Sequence, residues 1–188
     1  MSVCLLTFQL ESKPCENELG PDVVRRVYMA KKENKTNAMR ILDKNKVQYQ
    51  VNYYECDEFI DGIHIADQNG QSYEQSFKTL VTVGKSGGYY VFVIPIDQEI
   101  DFKKAAKVVG EKSVEMIPVK DINAVTGYIR GGCTPLGMKK LYPTVIEESA
   151  KTFDEIIISG GKLGVQILLN PMDLAKTVNG RFENVIVS

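Results

Sequence analysis

Over the first thirty residues hydrophobic and polar positions follow no sustained period, and Pro14, Gly20 and Pro21 interrupt scattered charges. Neither the 3.6-residue repeat of a helix nor the two-residue repeat of a strand persists, so residues 1–30 are expected to be a poorly ordered extension of a domain spanning 31–188. A basic, polar stretch from Met29 to Lys35 leads into the first regular segment, and Met29 is the expected physiological start. From Thr36 the pattern becomes periodic. Thr36 or Asn37 can cap a helix whose Ala38, Ile41 and Leu42 share one face, opposite Arg40, Asp43 and Lys44. Val47 to Tyr54 alternates as a half-buried strand does, and a short helix is predicted over Gly62 to Asn69. Phe77–Val83 and Tyr89–Pro95 flank the glycine-rich Gly84–Gly88, which predicts an antiparallel hairpin. Asp101 caps a helix carrying Phe102, Ala105, Ala106 and Val109, with Gly110 as its stop.

Further strands are predicted at Ser113–Ile117, Thr144–Ile146, Glu155–Ser159 and Gly164–Leu169. Pro171 opens a last helix with Leu174, Ala175 and Val178 on one face and Gly180 at its end, and Phe182–Val187 is expected to close the sheet. Strands outnumber helices and hairpins adjoin one another. The expected fold is therefore α+β, a mixed and mainly antiparallel sheet or partial barrel with flanking helices, without a repeat or a second domain.

Composition narrows the function classes. A chain of 188 residues, 44% hydrophobic and 25% charged, is long enough to bury one real core without disulfide staples. With 23 Lys and Arg against 24 Asp and Glu, the net charge is -1, so RNA binding has to come from a local patch. Apolar runs such as Val3–Leu6 and Tyr89–Pro95 fall far short of the ~20 residues of a membrane span, and Met1–Phe8 lacks a basic start, so a cytoplasmic protein with no membrane contact is expected. Cys4, Cys15, Cys56 and Cys133 show no CxxC spacing, and the single histidine, His64, has no partner at ligand spacing. No zinc site and no cofactor is expected. Ile63, Ile65 and Ala66 around His64 suggest a half-buried helical histidine rather than a catalytic base.

Candidate chemistry gathers in two small-residue segments and one strand. Thr126–Gly137 places four glycines and a proline in twelve residues, a composition that lets backbone amides approach a carbonyl oxygen or a phosphate, or simply makes a tight connection. It closes with no Gly-Lys-Ser/Thr, so it is not a P-loop. Cys133 within it is either a nucleophile activated near Arg130 or a passive small side chain, and no sequence-adjacent base supports the first. On the strand Ser76–Val83, Lys78 shares a face with Leu80, and Phe77, Val81 and Val83 share the other, so Lys78 either projects into a pocket or is solvated. Ser159-Gly160-Gly161-Lys162 can offer amides, a hydroxyl and an ammonium to an anion. Arg130, Lys139, Lys140, Lys151 and Lys162 are candidates for a basic rim. Glu147 and Glu148 are neighbours in a strand and point apart, which argues against an acid/base pair.

Taken in order, these segments resemble the YbaK/EbsC family of bacterial aminoacyl-tRNA deacylases, relatives of the editing insertion domain of prolyl-tRNA synthetases. The resemblance runs from Lys35 to Val187 and includes Lys35–Leu42, Ser76–Leu80, Val114–Pro118, Thr126–Lys140, Pro143–Ile146 and Ile158–Lys162. It implies an editing fold and removal of cysteine from mischarged tRNA(Pro), and also from tRNA(Cys); the near-neutral charge, which suggests weak, patch-dependent tRNA contact, adds a prolyl-tRNA synthetase as the expected transient partner. Lys78 matches the family's pocket lysine, with Thr79 beside it. Gly131, Gly132, Cys133, Thr134 and Pro135 match its GxxxP loop, with Tyr128 leading in. Tyr54 matches the tyrosine at the end of the early strand, and Ser159, Gly160 and Gly161 match the serine-glycine turn. One position departs: Gln166 stands where some members carry aspartate, which bears on selectivity and keeps an alanine proofreader open. In the mechanism the resemblance implies, the substrate's thiol attacks its own activated ester, so no side-chain base is needed. The amides of Gly131 to Thr134 hold the carbonyl oxygen, Lys78 and Ser159 grip the terminal adenosine or its phosphate, and Tyr54 walls the pocket. The other reading is a non-catalytic module that binds an aminoacyl-adenosine or nucleotide.

Overall fold

The computed structural model of this protein describes residues 34–56 and 60–187; the expectations for residues 1–30 and for Met29 lie outside them. Residues Lys35–Ser188 form one unit. Polar caps set the helix ends. Helix α1 (Asn37–Lys44) starts where the Thr36 side chain accepts the Met39 N–H, so Thr36 is the cap. Strand β1 (Tyr49–Tyr53) begins later than the alternation suggests, because Lys46 at φ 57° turns the chain first. Asp61 caps α2 (Gly62–Asn69), and Gly70 ends it in the left-handed region. Strands β2 (Phe77–Gly84) and β3 (Tyr89–Pro95) form the antiparallel hairpin, Lys78 opposite Ile94. Asp101 caps α3 (Phe102–Val109), after which β4 (Val114–Met116) pairs with Thr82–Gly84 alone.

Three short elements follow no readable period: a 3-10 turn at Val119–Asp121, helix α4 (Ile122–Thr126) and a 3-10 turn at Glu148–Thr152. Each is shorter than two helical turns, too short for a periodic stripe to show. Strands β5 (Thr144–Glu147), β6 (Ile156–Ser159) and β7 (Val165–Leu169) precede α5 (Pro171–Val178), which ends in left-handed Asn179 one residue before Gly180. The last segment pairs less than expected: only β8 (Arg181–Glu183) joins the sheet, parallel to β5, and Ile186 makes a single bridge to Ile100. The buried Glu147 carboxylate accepts the Val185 N–H at 2.7 Å and takes the place of a further ladder bond.

The strands form two sheets, β1-β7-β6 and β4-β2-β3-β5-β8, mostly antiparallel and not closed into a barrel. One face of the smaller sheet (Ile156, Ile158, Val165, Ile167, Leu169) packs against α1, α5 and the inner residues Phe77, Val93 and Ile146 of the larger. The opposite face of β3 (Phe92, Ile94) packs under Ala105 and Ala106 of α3. β3 is thus buried on both sides, which explains its continuous apolar run. His64 departs from the half-buried expectation. Ile65 and Ala66 take the buried side of α2, and the His64 side chain is 72% exposed, its Nδ1 2.6 Å from Asp61. Among the described residues no helix is long and apolar enough to cross a membrane, and no group of His, Cys, Asp and Glu could hold a metal ion.

Candidate active site

A single strand organises the site, because β2 is shared unequally between its neighbours. β3 pairs along its whole length on one edge; on the other, among the described residues, β4 pairs with Thr82–Gly84 alone, and the smaller sheet pairs just before β2, through the bridge from Ile157 to Ser76. The uncovered stretch between them borders a cavity of about 610 Å³, within the range of small-molecule sites. Its walls are largely apolar, supplied by Ile63 and Ile65 of α2, Ile96, Met116, Ile117 and Val119.

Lys78 reaches this cavity from β2, half-buried, and its Nζ donates to the Ile96 carbonyl at 2.9 Å. Burial lowers its pKa from the ordinary lysine value, and the charges of Asp97 and Glu99 partly offset that. Gly131 and Cys133 form part of the wall, as do Tyr54 and Ser159. The Ser159 hydroxyl donates to the Gly131 carbonyl at 3.5 Å, so the serine turn and the glycine loop touch. Gly131 takes φ 81° and Gly161 φ 90°, conformations that hold the two loops in tight turns and that side chains resist. Burial pushes the Cys133 thiol up to about 11, so near neutral pH it is a protonated wall group, as the passive reading has it.

Thr79 also lies on the wall, and the structure separates the remaining candidates from the cavity surface. Gly132 is buried, 3.4 Å of Cβ clearance from the Lys162 backbone. Thr134 is fully buried, its hydroxyl without a partner, and Pro135 is buried beside it. Tyr128 donates to the Leu136 carbonyl at 2.6 Å and backs Gly161, where a Cβ would lie 3.1 Å from the ring. Gly160 donates its N–H to Val165 at 2.9 Å. Together they form the layer behind the wall. Gln166 is held away from the cavity by Gln71: the two amides exchange hydrogen bonds at 2.7 and 3.1 Å, tying the segment after α2 to β7.

The basic rim is smaller than the lysine count suggests. Lys139 donates to the Asn123 and Ala124 carbonyls at the end of α4, and Lys151 lies 5.2 Å from the Phe182 ring centroid. Arg130 borders the cavity, and Lys140 and Lys162 are exposed. Sequence reasoning missed the apolar walls. Ile63 and Val119 carry no chemistry in a sequence, and only the long-range packing of α2 and the β4–α4 connection brings them opposite Lys78.

An apolar hollow with a partly desolvated ammonium and a glycine loop is equipped to position and polarise an already activated ester, and among the described residues it holds no activated nucleophile. Residues 63–177 match the aminoacyl-tRNA editing domain family, and the chain belongs to that family. Over 160 residues it is 46% identical to an Enterococcus faecalis protein named as a candidate Cys-tRNA(Pro)/Cys-tRNA(Cys) deacylase, EbsC, spanning 84% of this chain and 98% of that one. A crystal structure of a candidate trans-editing enzyme for prolyl-tRNA synthetase superposes with a TM-score of 0.71 at 20% identity, over 83% of this chain and 100% of that one. The crystal structure of a hypothetical protein gives 0.75 at 18% identity, over 81% and 100%. At such identities these two structures establish the fold.

Proposed function

We propose that this protein is a trans-editing deacylase that cleaves the aminoacyl ester of cysteine mischarged on tRNA(Pro), and of Cys-tRNA(Cys), in the cytoplasm, with residues 31–188 as the working domain and a prolyl-tRNA synthetase as transient partner. The observation that carries the reading is the 610 Å³ cavity in which Lys78, Gly131 and Ser159 meet. The close relationship to a protein named for that activity supports the substrate.

In this mechanism the substrate's sulfur attacks its own ester carbonyl. The carbon–sulfur bond forms, the bond to the ribose oxygen breaks, the thiol proton passes to that oxygen, and the cyclic thiolactone hydrolyses to cysteine. Within the glycine loop the cavity-lining Gly131 and Cys133, rather than Gly132, whose N–H is donated to Ile129, or the buried Thr134, supply the amides that stabilise the oxyanion, and Lys78 and Ser159 hold the terminal adenosine or its phosphate. A required thiol separates cysteine from alanine and proline, which a size filter worth ~1–3 kcal/mol cannot do. Gln166, locked against Gln71, does not select the side chain directly.

The test is a deacylation panel of cysteinyl-, alanyl- and prolyl-tRNA(Pro) at low salt, where a near-neutral protein binds RNA best. Cysteine alone should be released. Binding without release of any amino acid would instead support the non-catalytic module.

A further inference from the structure

The gap in the ladder along β2 turns the backbone around Thr79 toward the cavity. Two bonds set the parity: Ile96 N–H donates to Ser76 at 2.9 Å, and Gly84 N–H donates to Gly88 at 2.8 Å. Even-numbered residues of β2 therefore turn their peptide groups toward β3, and odd-numbered residues turn theirs to the opposite edge. That edge is occupied at both ends, where Gln75 accepts from Ile157 at 2.9 Å and Val81 accepts from Ile117 at 3.2 Å. Between them stand Phe77, next to the Ser76 bridge, and Thr79, on the cavity wall and, among the described residues, paired with no strand on that edge. The Thr79 hydroxyl is also buried without a partner. A donor and an acceptor side by side on a strand edge are a template for an incoming extended backbone, and the orphaned hydroxyl beside them marks the same stretch as a place for a ligand.

A strand-edge residue offers its N–H and C=O side by side, and what completes such a pair is another amino-acid backbone. We infer that the open edge at Thr79 binds the aminoacyl group of the substrate as a single added strand residue: the α-ammonium donates to the Thr79 carbonyl, and the ester carbonyl accepts the Thr79 N–H. This rests on the deacylase reading and deepens it. The ester oxygen has a second lone pair for an amide of the glycine loop, so the oxyanion is held from both sides of the cavity by donors of different segments. The ammonium contact is charge-assisted and recognises an α-amino acid whatever its side chain. Selection of cysteine is left to the thiol.

Binding of unreactive amide analogues to the full chain tests this. The probes are 3′-deoxy-3′-(cysteinylamino)adenosine and its 3-mercaptopropionylamino counterpart, which keeps the thiol and lacks the α-amine. Calorimetry should give a Kd at least tenfold weaker for the deamino analogue, as loss of one charge-assisted hydrogen bond implies. A second preparation, with Thr79 replaced by its α-hydroxy acid to delete the N–H, which also weakens the Lys78 carbonyl on the β3 side, should weaken both analogues equally. Equal Kd values for the two analogues on the unmodified protein, or no effect of the backbone substitution, would overturn the assignment, as would binding of neither. If Cys-tRNA(Pro) is not cleaved while the tenfold ratio holds, the deacylase reading fails and the aminoacyl-adenosine contact stands.

Discussion

Lys78 and Cys133 face the same cavity with opposite electrostatic consequences. Burial favours the uncharged form of each, so it lowers the lysine pKa and raises the thiol. If Lys78 works as a cation, kcat/KM falls as pH rises through its folded-state pKa, with a midpoint below the ordinary 10.5. Asp97→Asn should move that midpoint lower still, because the carboxylate favours the ammonium; a midpoint unchanged in the variant speaks against the assignment. Lys78→Met should reduce kcat/KM by roughly 100-fold or more while circular dichroism stays native. Cys133→Ala, by contrast, should stay within a factor of a few of the parent activity. A loss as deep as that of Lys78→Met would restore the nucleophile reading that the raised thiol pKa disfavours.

The helix caps, the β2–β3 hairpin and the glycine loops were legible in the sequence because each rests on local chemistry: Asp101 before an amphipathic run, Gly84–Gly88 between apolar runs, glycines where φ is positive. The α4 region and the short pairing at Arg181–Glu183 were not, since the first is too brief for a period and the second is decided by the distant Glu147 carboxylate. The position of α2 over the cavity was likewise out of reach, as it depends on an amide pair 95 residues apart in sequence. Gln71→Leu and Gln166→Leu should each speed amide exchange in α2 and raise KM. The double variant should be little worse than either single one, a coupling of ~0.5–3 kcal/mol in the cycle. An effect of Gln166→Leu with none from Gln71→Leu would show that Gln166 touches substrate after all. At the serine turn, Gly161→Ala meets both a left-handed backbone and the Tyr128 ring, and should lose ~1–2 kcal/mol of stability by denaturant unfolding. A variant as stable as the parent would mean that the turn relaxes.

For the molecule as a whole, the order of the motifs was readable and the division of labour between the two sheets was not. The smaller sheet contributes its Ser159 end, the larger its uncovered β2 edge, and the active hollow exists because neither sheet completes the other. Global stability should carry the mark of Glu147, a carboxylate whose pKa is raised chiefly by burial. Below the ordinary value of 4.5 it is protonated folded or unfolded; as pH rises toward the folded-state pKa, ionisation favours the unfolded chain and stability is lost. Glu147→Gln should therefore raise Tm by a few degrees at pH 7 and show no such gain below pH 4.5. An equal gain at both pH values would locate the effect in packing instead. The account's central claim, that the substrate's own sulfur does the cleaving, is tested most directly by comparing Cys-tRNA(Pro) with Ser-tRNA(Pro), which differ by one atom, while trapping the product. Rapid loss of cysteine with a detectable thiolactone, and serine left attached, is the expected result; release of serine at a comparable rate would contradict it.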